Sequence, residues 1–139
     1  MLILDTNVLS ALMLQKPERQ VVRWLDSQPR TSLWITSVTV LEVEYGLRVL
    51  EAGRRRAQLF AAFEVLLEKL SRRVVAFDVA SAREAANLMA ARHKKGRPGD
   101  LRDTMIAGIV LAHHASLATR NTAHFADLTT VPVINPWAV

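Results

Sequence analysis

The chain opens Leu2-Ile3-Leu4-Asp5-Thr6-Asn7-Val8-Leu9, and the fold turns on how that stretch is read. Three consecutive large apolar residues mark a strand covered on both faces, the usual condition of a strand in a parallel sheet. Asp5 then puts a carboxylate, with Thr6 and Asn7 behind it, where the strand leaves the sheet. Open α/β sheets bind their ligands at the carboxyl ends of strands.

Working outward, the pattern alternates. Residues 5–14 read as a short helix, and Pro17 starts another through Val21, Val22, Trp24 and Leu25. Leu33, Trp34 and Ile35 form a second strand, and Thr36 and Ser37 are N-cap candidates for a helix over residues 37–52 that Gly53 closes. A second long helix over 54–70 carries apolar residues at Leu59, Phe60, Phe63, Leu66, Leu67 and Leu70, one helical face. Residues 74–77 read as a strand, and Asp78 and Ser81 open an Ala-rich helix ending in the basic loop of residues 93–99. A helix over 100–114, a strand over 116–119 and a last strand over 131–134 complete the series. Strands alternating with helices imply crossover connections, so the expected fold is α/β, a mainly parallel sheet between helices. The 139 residues, half of them hydrophobic, suit one domain over 1–139.

No apolar run is long enough to cross a bilayer and no signal-peptide pattern is seen, so a soluble cytoplasmic protein is expected, away from membranes. Cysteine is absent, which excludes disulfides, thiolate chemistry and cysteine-held metal. The 18 Lys and Arg outnumber 13 acidic residues, and most of them are Arg, whose planar fork suits phosphate. A polyanionic partner fits that excess, although charge alone also serves solubility.

Three carboxylates stand out. Asp5 has a plain structural role open to it, as a helix N-cap. Glu42 shares a helical side with Val38, Leu41, Tyr45 and Val49, which places a carboxylate in an apolar stripe. Glu44 lies off that stripe with Arg48 four residues on, the pattern of a surface pair. Asp103 heads a face shared with Ile106, Ala107 and Val110, whereas Asp100 reads as a cap. Asn121 follows the strand that ends at Thr119 and supplies an amide oxygen at a second strand exit, or simply a turn. Converging carboxylates repel unless a cation sits among them, and oxygen ligands suit magnesium or manganese. Such a centre can hydrolyse a phosphodiester.

The stretches LILDTNVL, TSVTVLEVEYG, DLRDTMIAGIVLAHH and LATRNTAHF, with the closing Asn135-Pro136-Trp137, resemble in order and interval the motifs of PIN-domain proteins, and of VapC-type toxins in particular. The resemblance implies a three-layer sandwich and a Mg2+- or Mn2+-dependent endoribonuclease. It also implies a homodimer, inhibited by a cognate antitoxin and able to join it in a larger assembly. Asp5, Glu42 and Asp103 would be the metal-binding acids. Asn121 stands where many relatives carry a fourth acid, so its part would run through a water. Thr6 and Asn7 would orient Asp5 or the waters of the ion.

Lys94, Lys95, Arg97 and Arg120 are candidates for holding RNA, the loop of residues 92–97 by guiding a phosphate backbone towards Asp103. Arg54 to Arg56, Arg72 and Arg73 are either solvated faces or part of a surface that binds RNA or a partner. The Phe60 and Phe63 face is core, or else a dimer or antitoxin groove. His113 and His114 fit a helix end, and His124 is a minor candidate for RNA contact. Two other classes stay open: a catalytically inert RNA- or antitoxin-binding module, and phosphoryl transfer by an Asp5 nucleophile. The latter lacks the usual second Asp, since Asn7 stands there.

Overall fold

The computed structural model describes residues 1–139 and shows five strands and six helices. In chain order these are β1 (Leu2–Leu4), α1 (Thr6–Leu12), α2 (Arg19–Asp26), β2 (Leu33–Thr36), α3 (Ser37–Arg48), α4 (Arg54–Lys69), β3 (Val74–Val75), α5 (Val79–Lys94), α6 (Leu101–Ala112), β4 (Ser116–Ala118) and β5 (Val133–Ile134). The sheet runs β3-β2-β1-β4-β5, parallel throughout. β1 is central, flanked by β2 and β4, with Ile3 level with Trp34 and Leu117.

Alternation along β1 divides the core in two. Leu2 and Leu4 join Val8, Leu9, Val21, Leu25, Phe63 and Leu67 on the face covered by α1, α2 and α4. Ile3 points the other way, into Ile106, Ile109, Val110, Leu117 and Phe125 beneath α5 and α6. The opening strand is therefore buried on both faces, as its unbroken apolar run predicts. α5 and α6 pack most closely where Gly108 meets Ser81 and Ala85: a Cβ built on Gly108 would stand 2.4 Å from the Ser81 carbonyl oxygen.

Several element ends differ from the sequence expectation. α1 stops at Leu12, and α2 begins at Arg19 behind Glu18 instead of at Pro17. α3 stops at Arg48, four residues before position 52, because Val49 already serves as its C-cap. β3 and β5 are two residues each, so Ala76, Phe77, Val131 and Pro132 lie outside the strands, although Pro132 O still accepts the Leu117 N–H of β4. Asp100 caps α6 from outside, its carboxylate accepting the Asp103 N–H. No helix is long and apolar enough to cross a membrane.

The Glu42 stripe needs a larger correction. Of its apolar members only Val38 is buried; Leu41, Tyr45 and Val49 are 57%, 61% and 64% exposed. α3 turns Val38, Thr39, Val43 and Leu47 inward instead. Periodicity defines a face without saying which face is covered, and Glu42 sits at the border between the two.

Candidate active site

The strand order reverses beside β1, between strands whose chains continue to opposite sides, and ligand crevices of open parallel sheets form at such a point. There the carboxyl ends of β1 and β4 lie side by side, with the Asp5 N–H donating to Ala118 O at 2.9 Å. Asp5 leaves one strand and Thr119 the other, and the Thr119 hydroxyl donates to Asp5 Oδ2 at 2.8 Å. The other Asp5 oxygen accepts the Thr6 N–H at 2.8 Å, so the capping role expected of it holds as well. Asn7 Nδ2 reaches Asp5 Oδ2 at 3.5 Å and Thr119 Oγ1 at 3.3 Å, and Asn7 Oδ1 accepts the Arg120 N–H. Two strand ends are thus tied through one carboxylate.

Asp5 is 3% exposed. Burial pushes its carboxyl up to about 6; hydrogen bonds from Thr119 and Thr6 oppose the rise, while the Asp103 and Glu42 charges add to it. Glu42 comes from α3, and its Oε1 accepts the Thr6 hydroxyl at 2.8 Å. A carboxylate only accepts, so the hydroxyls beneath it must all point one way: Thr36 donates to Thr39, Thr39 to Thr6, and Thr6 to Glu42. Thr36 and Thr39 are fully buried, and that directed chain fixes Glu42 from below. Arg102 Nε stands 3.7 Å from its outer oxygen, Oε2. Asp103, in the first turn of α6, lies 3.0 Å from Nδ1 of His124, which must carry the proton in that bond.

Asp5, Glu42 and Asp103 therefore come from three elements to one end of the sheet, near enough for two of them to act on the third. They do not meet as a closed cluster: no three acidic or histidine side chains converge as a metal-binding group. Glu42 and Asp103 are each engaged by a cationic or hydrogen-bonding neighbour. The donors are all hard oxygens, with a buried carboxylate beneath two others, and that set fits a magnesium or manganese ion better than a soft metal.

The remaining candidates are more scattered. Asn121 has an exposed side chain, and only its backbone N–H joins the network, at Thr119 Oγ1. The Arg120 guanidinium lies 4.9 Å over the Trp137 ring. Lys94, Lys95 and Arg97 are exposed at the end of α5 and in the following loop. Arg92, expected with that loop to guide phosphate, is 6% exposed and turned inward. His113 and His114 sit at the end of α6, as expected. Phe63 is core, while Phe60 is half-buried with Arg48 and Arg56 over its ring. Glu44 pairs with Arg48 at 2.8 Å on the surface; Glu44→Gln should change stability by no more than about 0.5 kcal/mol in urea unfolding.

Thr119, Thr39 and Arg102 escaped the sequence reading. Thr119 alone had a signal, as a polar residue ending an apolar strand, the counterpart of Asp5.

The sequence matches the PIN domain family over residues 2–130. The chain belongs to the PIN-domain family. This PIN domain is similar to VapC ribonuclease Y4jK of Sinorhizobium fredii, 37% identical over 138 residues that cover 99% of this chain and 98% of the relative. It is also similar to Toxin FitB of Neisseria gonorrhoeae, 32% identical over 140 residues covering 99% of each. Among solved structures, FitAB bound to an IR36 DNA fragment superposes with a TM-score of 0.89 at 31% identity, over 100% of this chain and 97% of that one. Chains of VapBC toxin–antitoxin systems share the fold.

Proposed function

We propose that this PIN domain is a metal-dependent endoribonuclease and the toxin of a toxin–antitoxin pair. The observation that carries the reading is the buried Asp5 at the reversal point of the sheet, with Glu42 and Asp103 near enough to raise its carboxyl further. The likeness to a VapC ribonuclease and to Toxin FitB supports it. Asp5, Glu42 and Asp103 would hold Mg2+ or Mn2+, which would neutralise negative charge on the phosphodiester oxygens and activate a water as nucleophile. Thr119 and Thr6 keep both Asp5 oxygens aimed, and the hydroxyl chain keeps Glu42 aimed. Asn121 would act through a water. Lys94, Lys95, Arg97 and Arg120 supply exposed positive charge for the RNA backbone.

The partners follow the same reading. An apolar groove between α1 and α4, lined by Leu12, Met13, Leu59, Ala62, Val65 and Leu66, suits the apolar face of an antitoxin segment. The exposed Leu41, Tyr45 and Val49 suit a homodimer contact. Such a protein would act in the cytoplasm. One observation favours the catalytically inert binding module instead: the carboxylates do not form a closed cluster.

Cleavage of a mixed RNA pool by the purified, antitoxin-free protein separates the two readings. Cutting is expected with magnesium or manganese and should stop with chelator and in Asp103→Asn. RNA retained without cutting under any metal condition would establish the module.

A further inference from the structure

The basic run at the end of α5 conceals one residue of a different kind. Arg92 is buried and spends its guanidinium on three partners in two separate pieces of chain. Nε and Nη2 grip both carboxylate oxygens of Asp127 at 2.8 and 2.9 Å, a bidentate fork. Nη1 donates to the Thr104 hydroxyl at 2.9 Å, and Nη2 also donates to the His124 carbonyl at 3.1 Å. Thr104 in turn donates to Asp100 O at 2.7 Å in the first turn of α6. Gly99 passes so close that a Cβ there would stand 3.0 Å from Nη1.

These contacts surround Asp103 without touching it. Thr104 is its neighbour on α6, Asp100 caps its N–H, and His124 holds its Oδ2. The turn Thr122–Phe125 has no side-chain cap of its own; Phe125 anchors it in the core, and the Arg92 bond to the His124 carbonyl and the grip on Asp127 just beyond are the polar ties that hold its outer side to α5 and, through Thr104, to α6. We infer that Arg92, locked by Asp127, is a positioning residue that sets Asp103 and His124 relative to one another and so completes the third acidic corner of the site. Lys cannot replace it, because an ammonium lacks the fork that reaches three partners in one plane. The inference rests on the nuclease reading for its effect on cleavage, but the arrangement it describes exists without metal or RNA.

The test uses the full chain as wild type, Arg92→Lys and Asp127→Asn, with Leu70→Ala as a control that loosens the opposite core. Long-range 15N–1H spectra at one fixed pH read the His124 ring in the metal-free protein, and titration with Mn2+ alone reads the site. Both clamp variants should move the His124 Nδ1 signal to that of a ring free of Asp103 and weaken Mn2+ about 10–100-fold, while Leu70→Ala leaves both unchanged. Asp127 is one-third exposed, and Asn there keeps one oxygen for Arg92 while breaking the fork, so Asp127→Asn is the milder of the two clamp variants. An unmoved His124 signal and unchanged Mn2+ affinity in a folded clamp variant would overturn the inference. If wild type binds no Mn2+ and cuts no RNA, the nuclease reading falls, and the His124 signal alone decides the clamp.

Discussion

Asp5→Asn should give a metal-free protein more stable than wild type at neutral pH, and one that no longer cuts RNA. Asp5 is buried at 3% exposure, with its carboxyl pushed from 3.8 up to about 6, chiefly by burial. The folded state thus holds this proton more tightly than the unfolded chain does. Wild-type stability consequently falls as pH climbs from 3.8 through about 6, and the loss is complete above that. At about 1.4 kcal/mol per pH unit the full loss is about 3 kcal/mol. Asn removes the charge and keeps the shape: its oxygen can still accept the Thr6 N–H, and the Thr119 hydroxyl can turn to accept from the new amide in place of Asn7, whose 3.3 Å bond to Thr119 Oγ1 is given up. Allowing for the desolvation of that amide, a gain of about 1–3 kcal/mol is expected at pH 7.5, shrinking to nothing near pH 4.

Urea unfolding across pH measures the gain directly. Adding Mg2+ or Mn2+ should then stabilise wild type by mass action and leave Asp5→Asn untouched. Cleavage should fall by more than the roughly 10–100-fold typical of residues that merely support a ligand. A variant that is less stable than wild type at neutral pH would mean that the fold itself holds Asp5 ionised.

The second large effect lies away from the chemistry. Gly108→Ala should lower stability by roughly 2–4 kcal/mol, although Ala is the better helix former by about 1 kcal/mol. The new methyl would sit 2.4 Å from the Ser81 carbonyl oxygen and 2.8 Å from Ala85 Cβ. Neither neighbour can rotate aside, since one is backbone and the other is a Cβ. α5 and α6 must therefore part along their whole contact, opening the core around Ile109 and Val110. A thermal melt should drop by on the order of 10 °C. An unchanged melting point would show that α5 shifts at little cost.

How far the sequence carries can be judged residue by residue. The buried run Leu2-Ile3-Leu4 and the alternation of strands with helices were legible, because a strand covered on both faces leaves no polar position in its sequence. Asp103 was legible from its place above Ile106, Ala107 and Val110, all fully buried. Glu42 was picked out through a stripe that proved to face outward. Its half-buried position comes instead from Thr6 and Arg102, contacts made by other elements. Arg92 was hidden for the same reason: its partner Asp127 lies 35 positions away. Nothing in a basic run marks the one arginine that turns inward. Periodicity is a local property, and pairings between elements are not.

The central place of β1 also governs the order in which the molecule comes into being. A ribosome delivers β1 first, yet one of its two neighbours, β4, begins only at Ser116. Until then the opening strand has an unpaired edge, and Asp5 lacks the Thr119 hydroxyl that fixes it. Non-local parallel pairing of this kind is slow to form. A nascent chain therefore carries no tied pair of strand ends for most of its synthesis, and a chain cut short before Thr119 leaves Asp5 Oδ2 without that hydroxyl.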